Sequence, residues 1–520
     1  MRNSMGNNFA IFGSGVLFVI IFSGFLRAED AEPTAKKATS ADSSYTLDIT
    51  LGDAIQMALA KNFDIQVQQY DPKIAQARQL SASGKFDPTL QVSYTYDSNR
   101  QELRSLASKV NNEITDPDSP LYARREGQVY DANVSGLLPP GTTYSLGPSL
   151  SIDGDSTREP DYNSFETFTG FEVTQPVLRN FGTDVNLASI RIARANLSVS
   201  QWQLRQILID TITDTINAYN ELYFSIQNLD VEQRYRQLAQ QLVIDNQKRA
   251  EIGVMSPLDV LQAQSDLASR EERLLVAQRA VLDNQNFLKQ LITDDVAGFL
   301  NILIRIAPPP SSTGYKPNLN RDMPVAFDLR PDYRQSIIDI QRRNINIIFT
   351  RNQALPRLDL TGSLGLNGLE SSLGRSVSRV GQNNLAWSVG AIFSVPIPNR
   401  TARGETQVAQ LEIAQALIAL KQLEQFIIVE VDNAAGQIDT TRKRIEASRV
   451  AREFAQQTLE AGQARLASGT TTTFEVLQFQ RDLAQARIAE IRAVVDYNKA
   501  IAEYARRTGT TLDLTRIELE

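Results

Sequence analysis

Apolar and polar positions along this chain change period in a fixed order, and the order occurs twice. From Leu51 to Ser83 the apolar residues fall three or four apart, at Ala54, Ile55, Ala58, Leu59, Ile65, Ile74, Ala77 and Leu80. That spacing predicts an amphipathic helix, ended by Gly84. Past Phe86-Asp87-Pro88 the period drops to two, and Leu90, Val92, Tyr94 and Tyr96 alternate with Gln91, Ser93, Thr95 and Asp97. A strand over 86–97 with one apolar, aromatic face is expected. A charged, turn-rich loop follows, then extended sequence over 129–175, interrupted by the turn Pro139-Pro140-Gly141-Thr142. Between Asp184 and Ile252 there is neither Pro nor Gly, and Leu204, Leu208, Ile212, Ile216, Tyr219 and Tyr223 recur every three or four positions. One helix over 184–252 would run roughly 100 Å, at about 1.5 Å per residue. A further helix over 257–293 carries an unbroken heptad, Val260, Leu267, Leu274, Val281 and Leu288, which marks coiled-coil packing.

The order then repeats. Pro308-Pro309-Pro310-Ser311-Ser312-Thr313-Gly314 breaks regular structure inside a linker, 299–328. A helix opens at Arg330-Pro331-Asp332, and strands are expected over 356–366 and 385–395, joined by a polar loop. A long helix over 404–467, a last helix over 474–507 and a tail, 508–520, complete the chain. The two copies, 47–298 and 329–507, align without a gap where each long helix gives way to a shorter one. There EIGVMSPLDVLQAQSDLA, 251–268, lies on ASGTTTTFEVLQFQRDLA, 467–484. Gly253 falls on Gly469, Asp259 on Glu475 and Gln262 on Gln478. A glycine between two helical patterns reads as the corner of a helical hairpin, and its recurrence means one large unit duplicated.

At the amino terminus, Arg2 precedes an apolar run from Phe9 to Leu26, and Leu26-Arg27-Ala28 ends on a small residue. We expect a signal peptide over 1–28, cleaved near Ala28, with a flexible leader over 29–46. The alternatives are a retained anchor and a start at Met5. No other stretch approaches ~18 uninterrupted apolar residues. The alternating strands fit either a half-buried soluble sheet or a membrane barrel, whose mark is segments of about ten alternating residues with aromatics near their ends. The signal peptide favours the barrel.

Composition narrows the chemistry. Of the 520 residues 42% are hydrophobic and 22% charged, which fits a folded chain. The net charge of −7 argues against a nucleic-acid partner. With no Cys and no His, thiol and imidazole nucleophiles, bases and metal ligands are all missing. No cofactor or metal is expected, nor a disulfide or an amino-terminal lipid on sulfur.

Helix, strand pair, long helix, corner and short helix, given twice behind a signal peptide, resemble the TolC-like outer membrane efflux protein family. The match rests on Leu51-Gly52-Asp53-Ala54-Ile55 with Asn62, Gly84-Lys85-Phe86-Asp87-Pro88, Val173-Thr174-Gln175-Pro176, Arg194-Ala195-Asn196 and the two corners. The resemblance covers about Leu51 to Arg507. It implies an α+β membrane protein: a homotrimer, four strands per protomer closing a twelve-stranded outer-membrane β-barrel, and a periplasmic coiled-coil helical tunnel. It further implies passive export of small molecules or proteins in a tripartite efflux or type I secretion system. The partners would be a periplasmic adaptor, an inner-membrane pump of RND, MFS or ABC type, and outer-membrane lipid. The sequence departs from the family in its extra extended segments over 129–153. We read these as a hairpin outside the barrel, the alternative being added barrel strands.

In the resembled family, acidic residues just past the corners ring a closed periplasmic entrance. Asp259 and Glu475 stand at those positions, and Gln478 where a second acid is often found. Close carboxylates repel one another and hold cations, whereas acids in a first turn also simply favour helix starts. Gly253 and Gly469 set the corner shape. Arg249 and Arg465 precede them at equal spacing and are either adaptor contacts or solvated surface residues. Two readings from other classes stand beside the duct. A pore-less coiled-coil protein of the envelope leaves the strands unexplained, and a carboxylate-dependent enzyme lacks any motif.

Overall fold

The computed structural model describes residues 46–102, 122–155, 162–309, 314–380 and 384–515. The expected signal peptide, 1–28, and all of the expected leader but Thr46 lie outside these residues. The chain enters as β1 (Thr46–Ile49), then α1 (Leu51–Lys61), α2 (Phe63–Gln68) and α3 (Tyr70–Ser83). A reciprocal cap starts α1: Asp53 N donates to Thr50 Oγ1 at 3.3 Å, and Thr50 N donates to Asp53 Oδ2 at 3.0 Å. The single helix expected over 51–83 is broken into three, and Asn62 supplies the reason for the first break. Its Oδ1 accepts from Asp64 N at 2.8 Å and caps α2, while Nδ2 donates to Leu291 O at 3.2 Å.

Next come β2 (Thr89–Glu102), β3 (Tyr122–Leu137), β4 (Thr143–Asp155) and β5 (Tyr162–Pro176). A one-turn helix, α4 (Thr183–Asn186), leads into α5 (Ala188–Glu251), which turns back as α6 (Pro257–Ile292). α7 (Val296–Phe299) ends at the first residue of the linker expected to be irregular, 299–328, which itself includes β6 (Leu303–Ile306) and all but the last residue of α8 (Leu319–Leu329). β6 is ordered because it pairs in parallel with β1 and buries Ile304 against Tyr219, Leu222, Leu288 and Ile292. The Tyr219 hydroxyl donates to Ala307 O at 2.7 Å and fixes the strand's end.

The second copy runs α9 (Pro331–Gln353), β7 (Arg357–Glu370), α10 (Leu373–Arg379), β8 (Leu385–Ser394), α11 (Arg400–Ala467) and α12 (Thr473–Thr508). The expected polar loop between its strands includes α10, held back on the sheet by Ser376 Oγ donating to Gly368 O at 2.8 Å. The expected tail includes α13 (Thr511–Thr515), whose Leu512 is buried against Ile209, Ile212 and Ile216.

Helices α5 and α11, of 64 and 68 residues, each form a hairpin with the helix after them, and α5 also packs on α9 and α12. Where the middle of α11 meets the last turns of α12 the second copy has its own core, Ile427, Val431, Ile438, Tyr497, Ile501 and Tyr504. Among the described residues the six long strands form one antiparallel sheet, in the order β2-β3-β4-β5-β7-β8. The extended segments over 129–153, expected as a hairpin outside the barrel with added barrel strands as the alternative, are part of this sheet. β3 and β4 lie within the sheet, bonded to β2 and β5 along their lengths. Their tight turn is closed by Leu138 N donating to Thr142 O and Gly141 N to Leu138 O, both at 2.8 Å.

Candidate functional site

The two corners have one construction. At the first, Val254 N donates to Arg249 O and Gly253 N to Ala250 O, both at 3.0 Å. At the second, Thr470 N donates to Arg465 O at 2.9 Å and Gly469 N to Leu466 O at 3.1 Å. This double bond pattern closes a helix through a left-handed residue, and Gly253 and Gly469 have φ of 76° and 72°. The sequence thus placed both glycines where the backbone requires them. Arg249 and Arg465 contribute their carbonyls to the turn. The exposed Arg465 guanidinium also donates to Thr470 O at 3.4 Å, within its own corner.

Both returning helices start on a hydroxyl cap: Ser256 Oγ accepts from Leu258 N at 3.2 Å, and Thr472 Oγ1 from Glu475 N at 3.3 Å. Asp259 and Glu475 are each the third residue of their helix, where the amide dipoles favour an acid. Glu475 is exposed and accepts the Thr471 hydroxyl. Half-buried Asp259 has no side-chain partner among the described residues, and no bond joins it to Glu475. Gln478 is exposed and donates to Asp482 Oδ1 at 3.0 Å along its own helix.

About two turns further in lies a network that sequence reasoning missed. Asp266 accepts from Arg270 Nε at 2.5 Å, and both side chains are almost fully buried, at 8% and 1% exposure. Arg481 of α12 approaches the other Asp266 oxygen at 3.8 Å. Asp266 and Arg481 each sit in the third turn of their helix, so the two corners lie side by side at one end. The guanidiniums of Arg270 and Arg487 lie 5.6 and 6.0 Å from the Tyr235 ring centre, a cation–π arrangement. Val231 and Tyr235 of α5 pack there against Leu459, Val476 and Leu483 of the other hairpin. The available signal was the four-residue spacing of Asp266 and Arg270; the partner helix was not visible.

Farther along, Glu221 of α5 accepts from Lys499 at 2.6 Å and from Arg492 at 2.9 Å, both on α12. Burial alone would raise the Glu221 carboxyl, but bonds and charge from Lys499 and Arg492 outweigh it and hold it below its ordinary value.

The sheet separates two chemistries by face. Leu90, Val92 and Tyr94 pair with Val134, Ala132 and Tyr130; Leu364 and Gly362 pair with Trp387 and Val389. These share the apolar face, where Val389, Val92 and Trp387 are 78%, 74% and 70% exposed. The opposite face is polar: Ser93 opposes Asp131, and Ser363 opposes Ser388 with their hydroxyls 2.8 Å apart. On that face the Phe168 ring covers the paired glycines Gly170 and Gly365, where an added Cβ would collide with it. No helix among the described residues is long and apolar enough to cross a membrane.

A model of the outer membrane efflux protein family matches residues 54–293 and 325–510. Outer membrane efflux protein BepC of Brucella suis biovar 1 (strain 1330) is 22% identical over 76% of this chain and 82% of its own. Outer membrane protein TolC of Escherichia coli (strain K12) is 24% identical over 65% of this chain and 80% of its own. The solved CmeC outer membrane channel of Campylobacter jejuni is 16% identical and has the same fold, with a TM-score of 0.62 over 94% of each chain.

Proposed function

This chain belongs to the outer membrane efflux protein family, and on that premise we propose that it is an outer-membrane exit duct, passing cargo passively from the periplasm to the exterior. Membership implies trimeric assembly and work with efflux pumps. The observation that carries the reading is the pairing, in one chain, of a sheet with an apolar and a polar face and two long helical hairpins with matched corners. A sheet of that kind suits a barrel, with the apolar face on lipid and the polar face on water. The helices would extend it as a coiled-coil tunnel through the periplasm, with the corners at the mouth.

At that mouth three copies bring six carboxylates, from Asp259 and Glu475, around a narrow opening. Gln478 contributes no charge to the ring. Repulsion among those acids favours opening, and a bound cation opposes it. The glycine corners, with Arg249 and Arg465, are the docking surface for a periplasmic adaptor linked to an inner-membrane pump of RND, MFS or ABC type. Efflux and type I secretion are both served by such a duct. The pore-less structural reading leaves the exposed apolar face at Trp387 and Val389 without a purpose.

Native mass spectrometry of the detergent-extracted protein tests the assembly. A trimer is expected, and an obligate monomer sinks the duct.

A further inference from the structure

We propose that three copies of this chain close an eighteen-stranded barrel, six strands from each, with β8 of one copy pairing with β2 of the next. The proposal rests on the trimeric duct above and specifies its pore.

The sheet cannot stay open in lipid. β2 and β8 are its two edges, and an edge strand holds a row of unpaired backbone N–H and C=O groups that hydrocarbon cannot satisfy. Six strands are also fewer than the eight of the smallest membrane barrels, so one copy does not close alone. The strands alternate in direction through the sheet, which leaves β2 and β8 antiparallel to each other. A β8 edge beside a neighbour's β2 therefore continues the antiparallel order. It also continues the apolar face, since Trp387 and Val389 would adjoin Val92 and Tyr94 of the next copy.

The number eighteen depends on β3 and β4 belonging to the wall. Were they outside it, β2 would join β5 directly and the ring would have twelve strands. The structure assigns them to the wall by register and by phase. β3 bonds to the whole of β2, and β4 to β5 from Thr143↔Thr174 to Asp155↔Tyr162. Val134 pairs with Leu146 and Tyr130 with Leu150, all on the face that bears Leu90, Tyr94, Phe171 and Leu364. The same two strands place Asp131, Ser145 and Ser149 on the polar face. A hairpin lying in water has no need for that alternation. Because barrel diameter grows roughly linearly with strand number, the pore would be about one and a half times as wide as a twelve-stranded one.

Electron cryomicroscopy of the full-length protein in lipid nanodiscs counts the strands. Eighteen in the wall supports the proposal. Twelve, with 122–155 lying outside, overturns it and leaves the duct intact, whereas the lack of any barrel overturns both. Because the chain has no cysteine, single substitutions supply a second test in intact outer membranes. A membrane-impermeant maleimide should label Ser149→Cys at least ten times faster than Leu150→Cys. Equal reactivity at the two positions overturns the assignment.

Discussion

Asp266 of α6 lies 3.8 Å from Arg481 of α12, so the two hairpins are joined by charge just inside their corners. Asp266 also neutralises the buried Arg270. Removing one member of a buried pair strands the other's charge, typically at about 3–5 kcal/mol. Asp266→Asn should therefore lower the melting temperature and raise conductance by loosening the mouth. Wild-type melting and wild-type conductance together would show that this pair holds nothing closed.

Gly253 and Gly469 occupy left-handed backbone, and a Cβ added to either would meet nothing within 4 Å, so any cost of a side chain there is conformational. Alanine at either position should cost about 1–2 kcal/mol, and asparagine less, since it tolerates that region. Thermal unfolding of the four single variants checks the order. An alanine variant as stable as its asparagine counterpart would mean the corner takes another shape.

Much of this was legible in the sequence because corners and long helices are local. A glycine between two helical periods, and a run without Pro or Gly, announce themselves. What escaped depended on distant partners. Asn62 interrupts its helix because Leu291 O is there to receive its amide. Ile304 forms a strand because β1 lies alongside. β3 and β4 alternate more weakly than β2, with Ala132 and Gly136 at apolar-face positions, and only pairing with their neighbours places them in the sheet. Asp259 and Glu475 stand in the first turns of α6 and α12, but a single chain brings them no partner that reveals a gate.

The proposed gate has a direct test. Asp259→Asn combined with Glu475→Gln should weaken block by divalent cations at least tenfold in single-channel recordings. Unchanged block would leave these acids with a helix-starting role only.

Acid should weaken the α5–α12 contact. The Glu221 carboxyl is held below its ordinary value of 4.5, so its contribution is complete above that pH and disappears as pH falls through the lowered folded value. Glu221→Gln should lower stability at neutral pH and flatten the loss of melting temperature below about pH 4.5. Parallel curves for the two proteins would assign the acid sensitivity to other groups.

The sheet's two faces should differ in tolerance. Val389→Arg puts a charge on the apolar face, where an arginine near the bilayer midplane costs about 2–4 kcal/mol. Ser388→Arg puts the same charge on the polar face, and its outer-membrane yield should match wild type while that of Val389→Arg drops. Equal yields would argue that neither face meets lipid.

Reconstitution of purified trimers into a planar lipid bilayer tests the central claim most directly. The duct predicts discrete, reproducible conductance steps. Trimers that insert and conduct nothing, even with the Asp266→Asn mouth, would contradict it.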